Sequence, residues 1–307
     1  MNILVTGGGG FIGSNIADAY LLAGHKVIII DDMSTGRKQN IPKNAEFVEM
    51  DIRDSNLNDL FKDYRINFVN HQAARGDVRG SVENPKEYVD VNIMGGVNLL
   101  ECCVKNDVNG IIYSSTGGCV YGEPLYCPTD ESHPMRPIDP YGSSKASFEL
   151  YLPVFKQLYN LQYTIFRYPN VYGPRQNPFG EAGVISIFSS RMLKKQKVII
   201  NGSGLQERDY VYISDVVKAN MMATEKMGNT VYNLSSGIGT NVNKIFLLLK
   251  TLIDYKNDPI YGPKKPGEVS RSILSAKKIK KSLNWVPQVT IDYGFQKTVE
   301  YIRDSEI

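Results

Sequence analysis

The chain has 307 residues, of which 42% are hydrophobic and 22% charged, and its net charge is +3. This composition is typical of an ordinary globular protein, and so small a charge gives no reason to expect nucleic acid or a membrane surface as a partner. The four cysteines lack metal-ligand spacing, so we expect free thiols and no metal site. Because a first strand starts at residue 2, we expect no signal peptide and a cytoplasmic location.

The first half of the chain alternates short apolar runs with amphipathic stretches. The predicted strands are 2–6, 26–31, 46–50, 66–71, 110–115 and 163–168. The predicted helices are 12–23, 55–63, 86–106 and 141–160. Such alternation indicates an α/β protein with a doubly wound Rossmann sheet, in which parallel strands carry helices on both faces.

The character of the sequence changes after residue 173. Glycine, proline and polar residues cluster at 173–183 and 201–209. Single strands then alternate with helices predicted at 184–195, 214–227, 241–253, 276–283 and 292–305. We therefore predict a first domain over residues 1–173 and a smaller mixed α/β lobe over residues 174–307, interleaved with the first.

A glycine-rich turn follows the first predicted strand. Gly7, Gly10 and Gly13 have the spacing Gly-x-x-Gly-x-x-Gly, and a helix begins there. Glycine permits a tight turn and lets a pyrophosphate approach the backbone, while the helix N-terminus offers N–H donors. With the second strand also in place, the pattern predicts a dinucleotide cofactor rather than a merely flexible turn.

The second predicted strand ends at Asp31, where a carboxylate would accept from ribose hydroxyls and repel a 2′-phosphate. This favours NAD over NADP, and we interpret the nearby Arg37, which would suit NADP, as a solvent-facing loop residue. Further cofactor-binding residues are predicted at strand ends and helix starts; they are Phe11, Ile12, Asp32, Ser34, Thr35, Gly36, Asp51, Ile52, Gln72, Ala73, Ala74, Asn92, Ser114 and Tyr168.

Tyr141 and Lys145 form a Tyr-x-x-x-Lys pattern in a predicted helix after a proline-rich loop. One helical turn separates them, so both side chains can point at one site. A free tyrosine has a pKa near 10, but a nearby ammonium and a positive nicotinamide ring favour the phenolate. Together with the glycine turn, this pattern predicts redox chemistry on a bound nicotinamide; the alternative is a surface pair in a chain with 19 tyrosines. Thr116, at the end of the fifth strand, is either a hydroxyl partner of the substrate or part of a plain Ser/Thr turn.

These motifs resemble those of the extended short-chain dehydrogenase/reductases that act on nucleotide sugars, and most closely those of the UDP-glucose 4-epimerases. The resemblance runs from Met1 to about Arg303. The matching segments keep their order along the chain and are 4–14, 34–37, 71–74, 81–85, 115–122, 167–175 and 208–215. It implies a tyrosine base, a hydride that passes to tightly held NAD and returns to the other face of a 4-keto sugar, and no net redox change.

The resemblance also implies residue roles. Tyr141 would be the base, Lys145 would lower its pKa and anchor the nicotinamide ribose, and Thr116 would be the hydroxyl partner. The first domain would bind NAD and the second the UDP-sugar. Substrate contacts are implied for Thr116, Gly117, Gly118, Asn170, Val184, Arg208, Lys265, Glu268 and Ser272. Lys265 and Glu268 stand where the family has Arg and Asp.

The residues after Thr116 distinguish this chain from related enzymes. Nucleotide-sugar 4,6-dehydratases carry an Asp-Glu pair there and the decarboxylases a Glu, whereas this chain has Gly117, Gly118 and Cys119. Because dehydration needs the additional acid–base pair, 4-epimerisation of UDP-glucose and UDP-galactose is predicted. The alternatives are a UDP-glucuronate 4-epimerase or reductase of the same superfamily, and a non-catalytic NAD-binding regulator.

Ser272 stands where several of these epimerases carry a bulky tyrosine. A small residue there is associated with N-acetylated sugars, so Ser272 predicts that UDP-GlcNAc and UDP-GalNAc are also substrates, unless it is an unrelated loop serine. Arg75 and Arg79 also depart from the family pattern and have no predicted role.

A homodimer is expected from the resemblance, through helices 86–106 and 141–160. The predicted interface side chains, which could instead pack on the sheet, are Val91, Val97, Leu100, Phe148, Leu152 and Phe155.

Overall fold

The computed structural model describes residues 1–179, 183–264 and 269–306. The strands in these ranges are β1 (Asn2–Thr6), β2 (Lys26–Asp31), β3 (Glu46–Glu49), β4 (Phe68–His71), β5 (Gly110–Thr116), β6 (Gln162–Tyr168), β7 (Asn170–Tyr172), β8 (Ile199–Asn201), β9 (Glu207–Tyr212), β10 (Thr230–Asn233), β11 (Gly239–Asn241), β12 (Ile260–Gly262) and β13 (Arg271–Ser272). The α-helices are α1 (Phe11–Leu22), α2 (Leu57–Tyr64), α3 (Val78–Glu83), α4 (Pro85–Tyr88), α5 (Gly96–Lys105), α6 (Pro140–Tyr159), α7 (Val184–Leu193), α8 (Ile213–Glu225), α9 (Val242–Ile253), α10 (Lys277–Leu283) and α11 (Ile291–Glu306).

The chain divides into two compact units. The first comprises Met1–Val120, Pro137–Arg167 and Val217–Tyr232, and the second comprises Tyr121–Arg136, Tyr168–Val216 and Asn233–Ile307. These units differ from a single boundary at residue 173. Residues 121–136 and 168–173 belong to the second unit, while residues 217–232 return to the first, where they supply most of α8 and of the outer strand β10.

The first unit is built on a seven-stranded sheet with the order β10-β6-β5-β4-β1-β2-β3. The pairs from β3 to β5 are parallel, and Leu4 in β1 lies opposite Ile28 in β2 and Val69 in β4. These three side chains are fully buried, as expected for a parallel sheet covered on both faces. The predicted Rossmann sheet is therefore confirmed. The strand order reverses between β1 and β4, and ligands of such sheets bind beyond the strand ends at that point.

The predicted helix over residues 86–106 is confirmed, because residues 85–105 are helical throughout, but it is not one regular α-helix. It consists of α4, a π-helical segment at Val89–Gly95, and α5. The wider turn carries Asn92, which is 2% exposed and bonds to the backbone of Arg75 and to Ser144. The apolar periodicity continues through this segment, so the sequence alone did not reveal it. Such π-segments are often found at functional sites.

Most of the side chains predicted for a dimer interface lie in the core instead. Val91, Leu100, Phe148 and Leu152 are at most 5% exposed and belong to the hydrophobic core of the first unit. Predicting them as interface residues was therefore wrong, and the alternative that they pack on the sheet holds. Val97 and Phe155 are half-buried.

The second unit contains two small sheets. Strands β11, β9 and β13 pair in that order, β7 also pairs with β9, and β8 pairs with β12. Most of these strands have only two or three residues, too few for an apolar pattern to be visible in the sequence. Among the described residues, no helix combines the length and apolarity needed to cross a bilayer. None of the four cysteines, all of which lie in the described ranges, forms a disulfide.

Candidate active site

The backbone of the glycine turn forms a concave surface, the glycine cradle, in which a side chain at Gly7 or Gly13 would not fit. Gly7 has φ of +68°, and a Cβ at this position would lie 2.6 Å from the backbone nitrogen of Ala73. A Cβ on Gly13 would lie 2.3 Å from the carbonyl oxygen of Gly7. Helix α1 begins at Phe11 with Gly10 as N-cap, with no side-chain cap and no acidic residue in its first turn. Its first N–H groups therefore suit a pyrophosphate, which is the arrangement that a dinucleotide requires.

Asp31 is anchored at the end of β2 beside this turn. Its Oδ2 accepts from the backbone N–H of Gly9 and its Oδ1 from that of Met33, both at 2.9 Å. Burial raises the pKa of Asp31, and the two backbone hydrogen bonds lower it in part. A Cβ on Gly36 would lie 2.6 Å from Oδ1, so the predicted loop glycine leaves room for this carboxylate. Thr35 lies in the same loop.

Arg75 connects three segments around this end of the sheet. Its Nη2 lies 3.1 Å from Oδ2 of Asp32, its Nε donates to Oε1 of Glu87 at 2.7 Å, and its Nη1 donates to Ser34. Its backbone N–H donates to Oδ1 of Asn92 at 2.8 Å, and its carbonyl accepts from Nδ2 at 3.1 Å. The structure thus gives Arg75 a role that the sequence did not predict, as the link between the loops after β2 and β4 and helix α4.

The end of β4 is held by buried polar side chains. Gln72 donates to Asn70 at 2.6 Å, and Asn70 donates to Tyr20 and Asn220, each at 3.0 Å. The backbone N–H of Ala73 donates to the hydroxyl of Thr6 at 3.1 Å. Ala74 follows directly. The loop that is predicted to let the cofactor pass therefore begins at residues held by hydrogen bonds, Gln72 through its side chain and Ala73 through its backbone.

Helix α6 places Tyr141 and Lys145 on one side of the sheet. Asp139 is the N-cap and accepts from the backbone N–H of Gly142 at 2.7 Å, and Pro140 occupies the first turn. Gly142 is required because a Cβ there would lie 2.9 Å from the carbonyl oxygen of Cys119. The cap therefore fixes Tyr141 in the first turn and Lys145 one turn later.

Tyr141 is desolvated by the protein around it. Burial raises the pKa of its hydroxyl above the usual value near 10, while a hydrogen bond with Thr116 lowers it in part. The ring of Tyr88 lies edge-on, with 6.4 Å between the ring centroids. In the protein alone Tyr141 is therefore a neutral phenol, and the lowering of its pKa by Lys145 stays a prediction. Thr116, the last residue of β5, forms the hydrogen bond with Tyr141, and its role as a hydroxyl partner of the substrate stays a prediction.

Lys145 is enclosed in the first unit, with only 3% of its surface exposed. Its ammonium lies over the ring of Tyr113, 4.4 Å from the centroid. Burial lowers the pKa of Lys145 to about 7, and the negative charge of Glu149 counteracts this. Small changes in its surroundings therefore change its charge in the neutral pH range.

Three predicted substrate-binding residues share one sheet of the second unit. Asn170 of β7 lies opposite Tyr210 of β9, and Ser272 of β13 lies opposite Arg208 of β9. Because residues 208 and 210 are two apart on one strand, all three candidates project to the same face of this sheet. Val184 is the first residue of α7. Lys265 and Glu268 lie outside the described residues.

The remaining predicted residues lie in or shortly after strands of the large sheet, except Ile12, which lies in α1. Gly117 and Gly118 follow β5, and Ile52 is buried after β3. Asp51 binds Arg53 at 2.7 Å. Ile12 follows Phe11 in α1; Ser114, in β5, and Tyr168, which ends β6, are both buried.

A comparison with known families matches residues 3–235 to the model of the NAD dependent epimerase/dehydratase family. The chain belongs to this family. Membership in it confirms NAD as the cofactor, and the cradle at Gly7 and Gly13 fits the pyrophosphate of such a dinucleotide.

Three solved structures of family members are similar over essentially the whole chain. The UDP-glucose 4-epimerase of Thermotoga maritima with UDP-glucose is 46% identical, with a TM-score of 0.98 and coverage of 100% of both chains. The UDP-glucose 4-epimerase of Thermus thermophilus in complex with NAD is 39% identical, with a TM-score of 0.94 over 99% of this chain and 100% of that one. The UDP-N-acetylglucosamine 4-epimerase of Methanobrevibacter ruminantium is 34% identical, with a TM-score of 0.94 over 99% and 98%.

Sequence reasoning missed several polar residues of this epimerase/dehydratase family member. Asn70 and Thr6 support the β4 loop, and Arg75 connects the loops around the cofactor end. Glu149 and Arg167 form a buried ion pair one helical turn beyond Lys145. The spacing of Lys145 and Glu149, four residues apart in a predicted helix, indicated that both lie on one helix face, but nothing in the sequence indicated that Glu149 pairs with Arg167.

Proposed function

We propose that this protein is an NAD-dependent UDP-sugar 4-epimerase that interconverts UDP-glucose and UDP-galactose. The observation that carries the proposal is the arrangement in the first unit, where Tyr141, Lys145 and Thr116 share the unit that holds the glycine cradle. The similar structures from Thermotoga maritima and Thermus thermophilus, at 46% and 39% identity, are UDP-glucose 4-epimerases, which supports the same reaction.

The first unit has the residues to hold NAD. Gly7, Gly10 and Gly13 would bind the pyrophosphate, Asp31 the adenosine ribose, and Lys145 the nicotinamide ribose. When bound, NAD supplies a hydride acceptor that can return the hydride to the substrate. The other predicted cofactor residues would line the same strand ends. Retention of the cofactor through the reaction would follow, because the reaction involves no net redox change.

Tyr141 would take the proton from the sugar 4-hydroxyl and return one to the 4-oxygen. Burial keeps its phenol neutral in the protein alone, so it needs a neighbouring positive charge before it can act as a base. The ammonium of Lys145, one helical turn away, is such a charge. Thr116 would orient the exchanged proton through its hydrogen bond with Tyr141.

The segment after Thr116 supports epimerisation rather than dehydration. Gly117, Gly118 and Cys119 provide no carboxyl group there. Without an acid to protonate a leaving hydroxyl, the sugar would keep its 6-hydroxyl, and only the configuration at C4 would change.

The second unit would bind the nucleotide sugar. Arg208 suits a phosphate through its guanidinium, and Asn170 and Ser272 project from the same sheet face. We propose that Gly117, Gly118, Val184, Lys265 and Glu268 complete these contacts. The small side chain of Ser272 would leave room for an N-acetyl group, so the N-acetylated UDP-sugars are proposed as further substrates. The similar UDP-N-acetylglucosamine 4-epimerase supports this extension.

A homodimer and a cytoplasmic location are part of the proposal. Helix α6 exposes an apolar stripe that a second copy would cover in place of the buried residues predicted first. Its members are Leu150, Tyr151, Val154 and Leu158, each at least 39% exposed.

The proposal is tested by incubating the purified protein with UDP-glucose, UDP-galactose, UDP-GlcNAc and UDP-glucuronate, separately and without added NAD. Formation of the 4-epimer of UDP-glucose is expected, and of UDP-GlcNAc if Ser272 leaves the pocket open. Turnover of UDP-glucuronate alone would instead favour a UDP-glucuronate 4-epimerase. No product from any sugar, even with NAD added, would contradict the proposal.

The Tyr141→Phe variant tests the assigned base. It should lower kcat by about a hundredfold or more, because general base catalysis contributes at least that factor, while NAD stays bound. The bound nucleotide is measured by releasing it from the denatured protein. Turnover near the wild-type rate would remove Tyr141 from the mechanism.

A further inference from the structure

A buried ion pair lies one helical turn beyond Lys145 on α6. Arg167, in β6, donates from Nη2 to Oε2 of Glu149 at 2.6 Å and from Nε to Oε1 at 3.0 Å. Ser115, in β5, donates to Oε1 as well. The side chains of Arg167 and Glu149 are 5% and 3% exposed. The guanidinium and the hydroxyl both donate to this carboxyl group, which is the geometry of a charge-assisted pair, so the Oε atoms of Glu149 are fixed in place inside the first unit.

The side chains around Lys145 are mostly uncharged, apart from the Glu149–Arg167 pair. Glu149 follows Lys145 by four residues, which places both side chains on one face of α6. From β5, Tyr113 presents its ring to the ammonium, and from β4, His71 stacks on Tyr113. Burial lowers the pKa of His71 to about 3, so it is neutral. Tyr141 on α6 is neutral as well. From β6, Arg167 adds a cation that binds the carboxyl group, and Glu149 is the anionic partner of Lys145 among these elements.

We propose that the Glu149–Arg167 pair is a positioning element for the reaction: the carboxylate of Glu149, held in place by Arg167 and Ser115, keeps the buried Lys145 ammonium charged beside Tyr141. This inference rests on the proposed function in so far as Lys145 must be charged for turnover. Arg167 fixes the geometry of the carboxylate without contacting the site itself. The pair thus acts through Lys145 and not on substrate or cofactor.

The carboxylate of Glu149 and the burial of Lys145 change the pKa of Lys145 in opposite directions. Burial disfavours the ammonium and lowers the pKa of Lys145 to about 7, whereas Glu149 favours the ammonium. Removing the negative charge therefore lowers the pH at which Lys145 loses its proton. Activity that needs the ammonium would then decline at a lower pH on the alkaline side.

The test follows Lys145 directly in the purified protein with its retained NAD. The protein is labelled with ¹³C at the lysine ε-carbons, and the Lys145 signal is assigned by its loss in Lys145→Met. Glu149→Gln should move the titration midpoint of Lys145 down by about one pH unit or more, and the alkaline limb of kcat with it. Glu101→Gln is the matched control, since Glu101 also lies one turn from a lysine partner, Lys105, but at the exposed surface of α5; the Lys145 midpoint should not move in this variant.

A second variant separates charge from folding. Glu149→Gln alone leaves Arg167 buried without its carboxylate and lowers stability, whereas the double variant with Arg167→Gln replaces both charges by amides. The double variant should regain thermal stability but keep the lowered midpoint, because the carboxylate at position 149 is still absent. A midpoint equal to that of the wild type in either variant would overturn the proposal. If the wild type epimerises no UDP-sugar, the proposed function fails, and the Lys145 titration still decides this inference.

Discussion

Two clusters of paired charges lie in the first unit, and water reaches them to different extents. Arg75 binds Asp32 and Glu87 at the cofactor end, where the side chains are 21% to 38% exposed. Arg167 binds Glu149 behind Lys145, where both side chains are at most 5% exposed. Charges in contact with water are screened, so the Arg75 cluster mainly fixes loop geometry. The Arg167 cluster acts in a less polar interior, where a charge influences its neighbours strongly.

The largest effect is expected from Arg167→Leu. It leaves the carboxylate of Glu149 buried without its guanidinium partner, which should lower the free energy of unfolding by about 3–5 kcal/mol. Urea denaturation measures the loss, which should change little between low and high salt because the pair is not screened. A loss below about 1 kcal/mol would mean that the buried pair behaves like an exposed one and would break the comparison.

A smaller effect is expected from Arg75→Gln. The partly exposed ion pairs should contribute about 1 kcal/mol or less, and the difference from the wild type should shrink with added salt. The variant should nevertheless retain less NAD through purification, because the Asp32 loop loses its link to Glu87. The NAD content per mole of protein and the urea midpoint are measured together. A large loss in the free energy of unfolding that added salt does not change would mean that the Arg75 ion pairs behave like the buried Arg167 pair.

The contrast between the two clusters also explains what the sequence could and could not predict. Local patterns in the sequence include the apolar runs of the strands, the glycine turn at Gly7 and the Tyr141–Lys145 spacing. The Rossmann sheet and the candidate cofactor-binding and catalytic residues could therefore be predicted. Arg75 meets Glu87 twelve residues away across a loop, and Arg167 meets Glu149 from a different element. No local pattern indicates such pairs, because the tertiary structure decides which side chains meet.

Burial decided the other differences from the sequence-based predictions. The apolar spacing of Leu100 and Phe148 fits an exposed helix stripe and a buried core stripe equally well. Only the packed structure shows that both side chains are buried. The π-segment at Val89–Gly95 keeps the apolar pattern while it redirects Asn92 towards Arg75. The three-residue strand β7 pairs with the longer β9, so its formation depends on a partner distant in the sequence.

The smallest effect is expected from Arg53→Gln, which extends the comparison to a third arginine. Arg53 also binds two carboxylates, those of Asp51 at 2.7 Å and Asp90 at 2.5 Å, but its side chain is 37% exposed. The free energy of unfolding should change by no more than about 0.5 kcal/mol, as for most surface substitutions. Arg75 and Arg53 each bind two carboxylates, and the side chain of Arg75 is the less exposed of the two, at 21%. If Arg53→Gln cost as much as Arg167→Leu in urea denaturation, the number of ion pairs, and not their burial, would determine the contribution of each arginine.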